Sequence, residues 1–166
     1  MVSISETALE EATNKAAHRI AWLKEKRIVA QCLSAFNGKY VTKKLIPELE
    51  KAFPEYERIY LHNEQRYKSI AITVTFCKPS HRYEDYITLD IASTDGRRID
   101  GEKLKEIAKD AAKEADALEK SLSNLQENAA QWNNMMKYVT RLANDLSPLF
   151  SNVTDFGKPD FYRFTY

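Results

Sequence analysis

From Glu102 to Ser147 the chain contains neither glycine nor proline, and its apolar residues recur at gaps of three and four. The stripe runs through Leu104, Ile107, Ala111, Ala115, Leu118, Leu122, Leu125, Ala129, Trp132, Met136, Val139, Ala143 and Leu146. This pattern predicts one long helix over 101–147 with a coiled-coil-like seam facing another helix. At ~1.5 Å per residue such a helix is about 70 Å long. A stutter near Ala111 to Ala115 interrupts the alternation and locally relaxes supercoiling. Ser121, Ser123 and Asn124 are poor mid-helix residues, and Ser123 with Gln126, or Asn124 with Glu127, has capping-box spacing. A turn there would make a helical hairpin; the unbroken stripe favours a continuous helix. The first half is rich in alanine and charge, whereas the second carries Trp132, Met135, Met136, Tyr138 and Val139. The core contact is therefore expected in the second half and a partner contact in the first.

A long seam needs a second helix, and the N-terminus supplies a candidate over residues 3–36. Ser3 and Glu6 have capping-box spacing. Leu9, Ala12, Ala16, Ile20 and Leu23 form one stripe, which then moves to Ile28, Cys32, Ala35 and Phe36. The changeover falls at Lys24, Lys26 and Arg27, so the buried face rotates or the helix breaks near Glu25 to Arg27. Asn37-Gly38 stops the helix, since both residues tolerate left-handed backbone. Thr42 is placed to cap a short helix over 42–53, with Leu45, Ile46, Leu49 and Phe53 on one side. Pro47 falls early in it, where a missing N–H is tolerated.

Between 57 and 92 the apolar period changes to two. Ile59 and Leu61, then Ile70, Ile72, Val74 and Phe76, then Ile87, Leu89 and Ile91 alternate with polar or small residues. Turns are expected at Asn63–Arg66 and Lys78–Arg82. Strict alternation with short turns predicts an antiparallel meander, one face buried and one half polar. Asp100 then caps the long helix. The aromatic tail, 156–166, either adds a fourth strand at the sheet edge or packs on the core. The fold class is α+β: an N-terminal helix and a long C-terminal helix packed with a three- or four-stranded antiparallel sheet, in a single domain over 1–166.

With 43% hydrophobic and 30% charged residues, the chain is globular in character. Its longest apolar stretches are far short of the ~20 residues of a membrane span, and residues 1–6 lack the basic start and apolar run of a signal peptide. Cys32 and Cys77 do not make a disulfide scaffold, which points to the cytoplasm. In its helical, apolar setting Cys32 is expected to be an inert buried thiol rather than a nucleophile. The three histidines, His18, His62 and His81, are scattered, and a zinc site needs three or four ligands. The four glycines are isolated, which excludes the usual phosphate cradles. No metal or cofactor is expected.

Net charge is +1, with nine Lys/Arg against seven Asp/Glu over 1–55, seven of each over 56–100, and nine against ten over 101–166. This lacks the basic excess usual in proteins that bind nucleic acid through phosphate contacts. A local patch remains open. Lys24, Lys26, Arg27, Lys39, Lys43, Lys44, Arg66, Lys68, Arg97 and Arg98 would form one if the fold gathers them, with Tyr40 and Tyr67 available for stacking.

These features predict a non-enzymatic protein–protein interaction protein, binding a partner or itself as a homodimer through the long helices. In size and style it is similar to small accessory proteins of phages and mobile elements, among them inhibitors of host defence such as anti-CRISPR proteins. No motif ties it to a named family. A nucleic-acid-binding protein using the basic residues is the alternative. A metal-dependent hydrolase or nuclease using Glu84, Asp85 or Asp90 is the third reading.

Overall fold

The two sequence periods, 3.6 and 2, become helix and sheet where the pattern places them. The computed structural model describes residues 6–66, 69–93 and 96–146. The elements are α1 (Glu6–Ser34), α2 (Leu45–Ala52), β1 (Arg58–Arg66), β2 (Ser69–Cys77), β3 (Ile87–Asp90) and α3 (Gly101–Leu146). A single 3₁₀ turn, Tyr83–Asp85, precedes β3. The arrangement is α+β, with a three-stranded antiparallel sheet in the order β1-β2-β3. The expected fourth strand in the aromatic tail lies outside the described residues. The chain divides into two compact units, one of Arg19–Asp116 and one of Met1–His18 with Ala117–Tyr166.

In the Arg19–Asp116 unit the meander buries the face the alternation predicted. Ile59, Ile72, Val74, Phe76, Ile87, Leu89 and Ile91 share one core with Leu45, Leu49 and Phe53 of the α2 region, Val29, Ala30 and Leu33 of α1, and Leu104 and Ala108 of α3. Phe76 is fully buried, with the Phe53 and Tyr56 rings edge-on to it at 4.9 and 5.1 Å. Such edge-to-face pairs add to area burial.

Several local expectations are corrected. β1 does not stop at a turn over Asn63–Arg66: it runs to Arg66, which pairs with Ser69. β1 is an edge strand, with β2 as its neighbour. The short helix begins at Leu45, not at Thr42, and Lys44 precedes it without a side-chain cap. The Leu45 N–H bonds the Thr42 carbonyl in a turn instead. Pro47 still sits in the first helical turn, where its missing N–H is harmless.

α1 neither breaks nor rotates at Lys24–Arg27: it is one helix of 29 residues. Ile28 is 59% exposed and Cys32 is exposed, so neither lies on the buried face. The residues that enter the core are Val29, Ala30 and Leu33, with Trp22 and Phe36 packed against it and half-buried Lys26 between Trp22 and Val29 at the same helical spacing. Lys26 fits there because its ammonium lies over the Trp22 ring, 5.2 Å from the centroid. Such a position keeps the charge near water and the stem on apolar surface. Gly38, with φ of 78°, provides the left-handed residue after α1.

α3 is continuous for 46 residues, through Ser121–Asn124. Its start is doubly capped. Asp100 Oδ1 accepts the Lys103 N–H at 3.1 Å and Asn37 Oδ1 accepts the Gly101 N–H at 2.8 Å. The expected stutter is absent. Ala108 is buried where Ile107 is only half-buried, so the inner seam reads Leu104, Ala108, Ala111, Ala115, Leu118, Leu122 at regular gaps of four and three.

The half of α3 that enters the core is the first, not the second as the composition suggested. Leu104, Ala108, Ala111 and Ala115 of the first half are buried, and Leu104 and Ala108 belong to the core. The second half leaves Leu125, Met135, Tyr138, Val139 and Leu142 40–63% exposed. Small residues are buried because they permit close approach of the neighbouring chain; side-chain size did not predict burial here.

Candidate functional site

The exposed part of α3 has a regular structure. Leu125, Asn128, Trp132, Met135, Val139 and Leu142 follow at gaps of three, four, three, four and three. That is a second seven-residue seam, displaced from the inner one, whose later members are Ala129, Met136 and Ala143. Ala129 and Met136 are buried. A strict seven-residue repeat falls back about 20° per heptad on a straight helix. Five heptads after Leu104, Val139 has therefore drifted about 100° from the inner face, which accounts for its 45% exposure. Asn133 and Thr140, each one residue later, take the half-buried positions. The Thr140 hydroxyl is satisfied by the Met136 carbonyl at 2.8 Å, whereas Asn133 Oδ1 is buried with no hydrogen-bond partner among the described residues. Met135 and Leu142 of the second seam were not read from the inner stripe, although the same spacing rule applied with a different phase reveals them.

The basic residues named from the sequence divide into groups. Tyr40 and Arg98 form a β-bridge, and the Ile99 N–H to Lys39 carbonyl and Val41 N–H to Arg97 carbonyl bonds extend it. This brings Lys39, Arg97 and Arg98 together around Tyr40. The Arg98 guanidinium lies 4.5 Å from the Tyr40 ring centroid and donates to its hydroxyl at 2.7 Å. Lys39 pairs with Glu48. Lys43 and Lys44 are exposed just beyond the bridge. Lys24, Lys26 and Arg27 sit on α1, Arg66 ends β1, and Lys68 and Tyr67 lie outside the described residues. Arg27 lines a recess together with Lys105 and Lys109 of α3, two residues outside that set.

A second recess, of about 190 Å³, opens on the outer face of the sheet. Register puts Arg58 opposite Cys77 and Tyr60 opposite Thr75, on the face away from Ile59 and Phe76. Arg58, Tyr60, Cys77, His81, Tyr83 and Tyr86 line it together with Glu57. The loop over it is anchored: the Trp22 indole donates to the Tyr86 carbonyl at 3.1 Å, and Ser80 Oγ donates to Asp85 at 2.9 Å. His81 has φ of 54°, the left-handed region that a side chain enters at a cost. Tyr83 is 85% exposed and edge-on to Tyr86 at 5.3 Å. Partial burial, with Cys77 and Tyr83 adjacent, raises the Tyr86 hydroxyl above the ordinary phenol range. The recess offers ring faces and hydroxyls, which suit stacking and hydrogen bonding.

Of the acids considered for metal chemistry, Glu84 is exposed on the 3₁₀ turn, and the other two have protein partners. Asp90 pairs with Lys103 at 2.7 Å, and Asp85 accepts from Ser80. Among the described residues no group of three or more His, Cys, Asp or Glu is placed to hold a metal ion. No described helix is long and apolar enough to cross a membrane. No protein-family model matches the chain, and comparison with curated proteins and with solved structures finds no match.

Proposed function

We propose that the protein is a non-enzymatic interaction protein that binds a helix of another polypeptide along the second seam of α3. The observation that carries this reading is the exposure of Leu125, Met135, Val139 and Leu142 on one regular three-four repeat. An apolar stripe of that period suits a helical partner, because knobs from one helix then meet holes on the other at every turn. Asn128 interrupts the stripe with one polar side chain, a device that specifies register in helical pairs. A second copy of this chain supplies such a helix in the simplest case. The free thiols at exposed Cys32 and buried Cys77 suit a reducing compartment, so the cytoplasm is the proposed location.

The test uses the double variant Met135→Lys/Leu142→Lys, which places charge on positions already 48% and 40% exposed. Light scattering over a concentration series is expected to show a dimer that the variant returns to monomer. If the protein is monomeric, a photo-crosslinking residue at Tyr138, expressed in the producing cells, is expected to give one defined protein adduct that the double variant abolishes. A monomer that yields no seam-dependent adduct overturns the reading.

A further inference from the structure

α1 and α3 of the Arg19–Asp116 unit leave a recess of about 260 Å³ between them. Arg27 and Gln31 come from α1, Lys105 and Lys109 from α3, and Ala108 and Ala112 complete the lining. Each pair is four residues apart and so lies one above the other on its helix. Two rows of long polar side chains thus flank a floor of methyl groups. The recess exists because Ala108, 3% exposed, and half-buried Ala112 are too short to fill it.

The charge is one-sided. Three of the six lining residues are cations and none is a carboxylate. Lys105 meets Glu102 at 2.7 Å, but that pair is 60% and 82% exposed and therefore weak. Arg27 and Lys109 have no ion pair among the described residues. Elsewhere in the same unit Arg19, Lys39, Lys78 and Lys103 each sit against a carboxylate, of Glu114, Glu48, Glu25 and Asp90 respectively. Lys105 and Lys109, like charges four apart, also repel each other on their own helix. An anion held between the rows offsets that repulsion. Arginine presents a planar fork of donors that matches an oxyanion, and lysine adds a point charge.

We propose that this groove is an oxyanion site that takes a phosphate group, with Arg27, Lys105 and Lys109 as its charged donors and Gln31 as a neutral one. The phosphate belongs either to a small phosphorylated ligand or to a nucleic-acid backbone. The proposal is independent of the α3 seam, whose exposed residues lie in the other unit.

The experiment titrates the full-length protein with inorganic phosphate, pyrophosphate and a short single-stranded oligonucleotide at low salt, read by amide and side-chain NMR shifts. The groove variant is Arg27→Gln/Lys109→Gln. The control, Lys43→Gln/Lys44→Gln, removes the same charge from exposed positions outside the groove. Saturable pyrophosphate binding is expected, with shifts centred on Arg27, Gln31 and Lys109. It should weaken about tenfold or more in the groove variant, the scale of losing hydrogen bonds to a charged group, and be unchanged in the control. Oligonucleotide binding that pyrophosphate displaces, and that falls steeply with salt, identifies the source as nucleic acid. Pyrophosphate binding without oligonucleotide competition identifies a small ligand. Absence of saturable binding by all three probes overturns the proposal, as does equal weakening in the two variants, which marks general attraction to positive charge.

Discussion

Tyr56 shows how much one side chain can tie together. It is 7% exposed, and its hydroxyl donates to Glu25 Oε1 at 2.5 Å, while the other oxygen of Glu25 pairs with Lys78. α1, the segment after α2 and the end of the sheet are joined through one carboxylate. Burial, then the hydrogen bond and negative charge of Glu25, push the phenol well above its ordinary range. The sign of the linkage follows. Below pH ~10 both folded and unfolded states keep the proton, and the contribution is complete. Above ~10 the unfolded chain loses it and the folded chain does not. Stability then falls, by up to about 1.4 kcal/mol per pH unit for one proton. Tyr56→Phe is expected to cost about 1–2 kcal/mol at neutral pH, and the gap to the wild type should narrow between pH 10 and 12 in urea-unfolding series. A constant gap would show that the phenol proton is not held. Neither partner was legible in the sequence: Tyr56 and Glu25 are 31 residues apart, and only the packing of α1 on the sheet makes them neighbours.

At the scale of elements, helix limits were largely readable because capping is local. Asp100 was identified as the cap of α3 and accepts the Lys103 N–H. Asn37 was not, because it reaches Gly101 across 64 residues of sequence. That contact reverses an ordinary substitution. Alanine is the better helix former by ~1 kcal/mol, yet a Cβ on Gly101 would lie 2.7 Å from Asn37 Cβ and 2.9 Å from its Cγ. Gly101→Ala is therefore expected to destabilise, by about 1–3 kcal/mol as for other overpacked sites, measured as a lower urea midpoint. A rise would mean that Asn37 moves aside freely. The same limit explains α1. Its periodicity announces a helix, but two stripes of equal spacing are present, and choosing Val29 and Leu33 over Ile28 and Cys32 requires knowing where the sheet packs. The candidate seam on α3 is the converse case, since its spacing is entirely local and lay in the sequence from the start.

At the scale of the molecule, every residue of the core cluster lies between Arg19 and Asp116. The fragment 19–116 is accordingly expected to fold alone, with a cooperative urea transition and the near-ultraviolet signature of its buried aromatic residues. A non-cooperative fragment would show that residues outside it carry the stability of the sheet. The basic residues illustrate what a sequence leaves open at this scale. Lys39, Arg97 and Arg98 meet through a two-stranded bridge between segments nearly 60 residues apart, as with Tyr40 and Arg98. Arg27 instead shares a recess with Lys105 and Lys109 of α3, about 80 residues further along the chain.

The sequence by itself determined the periods: 3.6 for three helices and two for three strands. These are properties of each residue and its near neighbours, so they need no knowledge of the rest. The tertiary structure alone decided which of two equivalent stripes is covered, which half of α3 enters the core, and which cations share a groove. Burial depends on what arrives from distant parts of the chain, and along α3 a slow drift of about 20° per heptad was enough to carry an apolar seam from the inside to the surface.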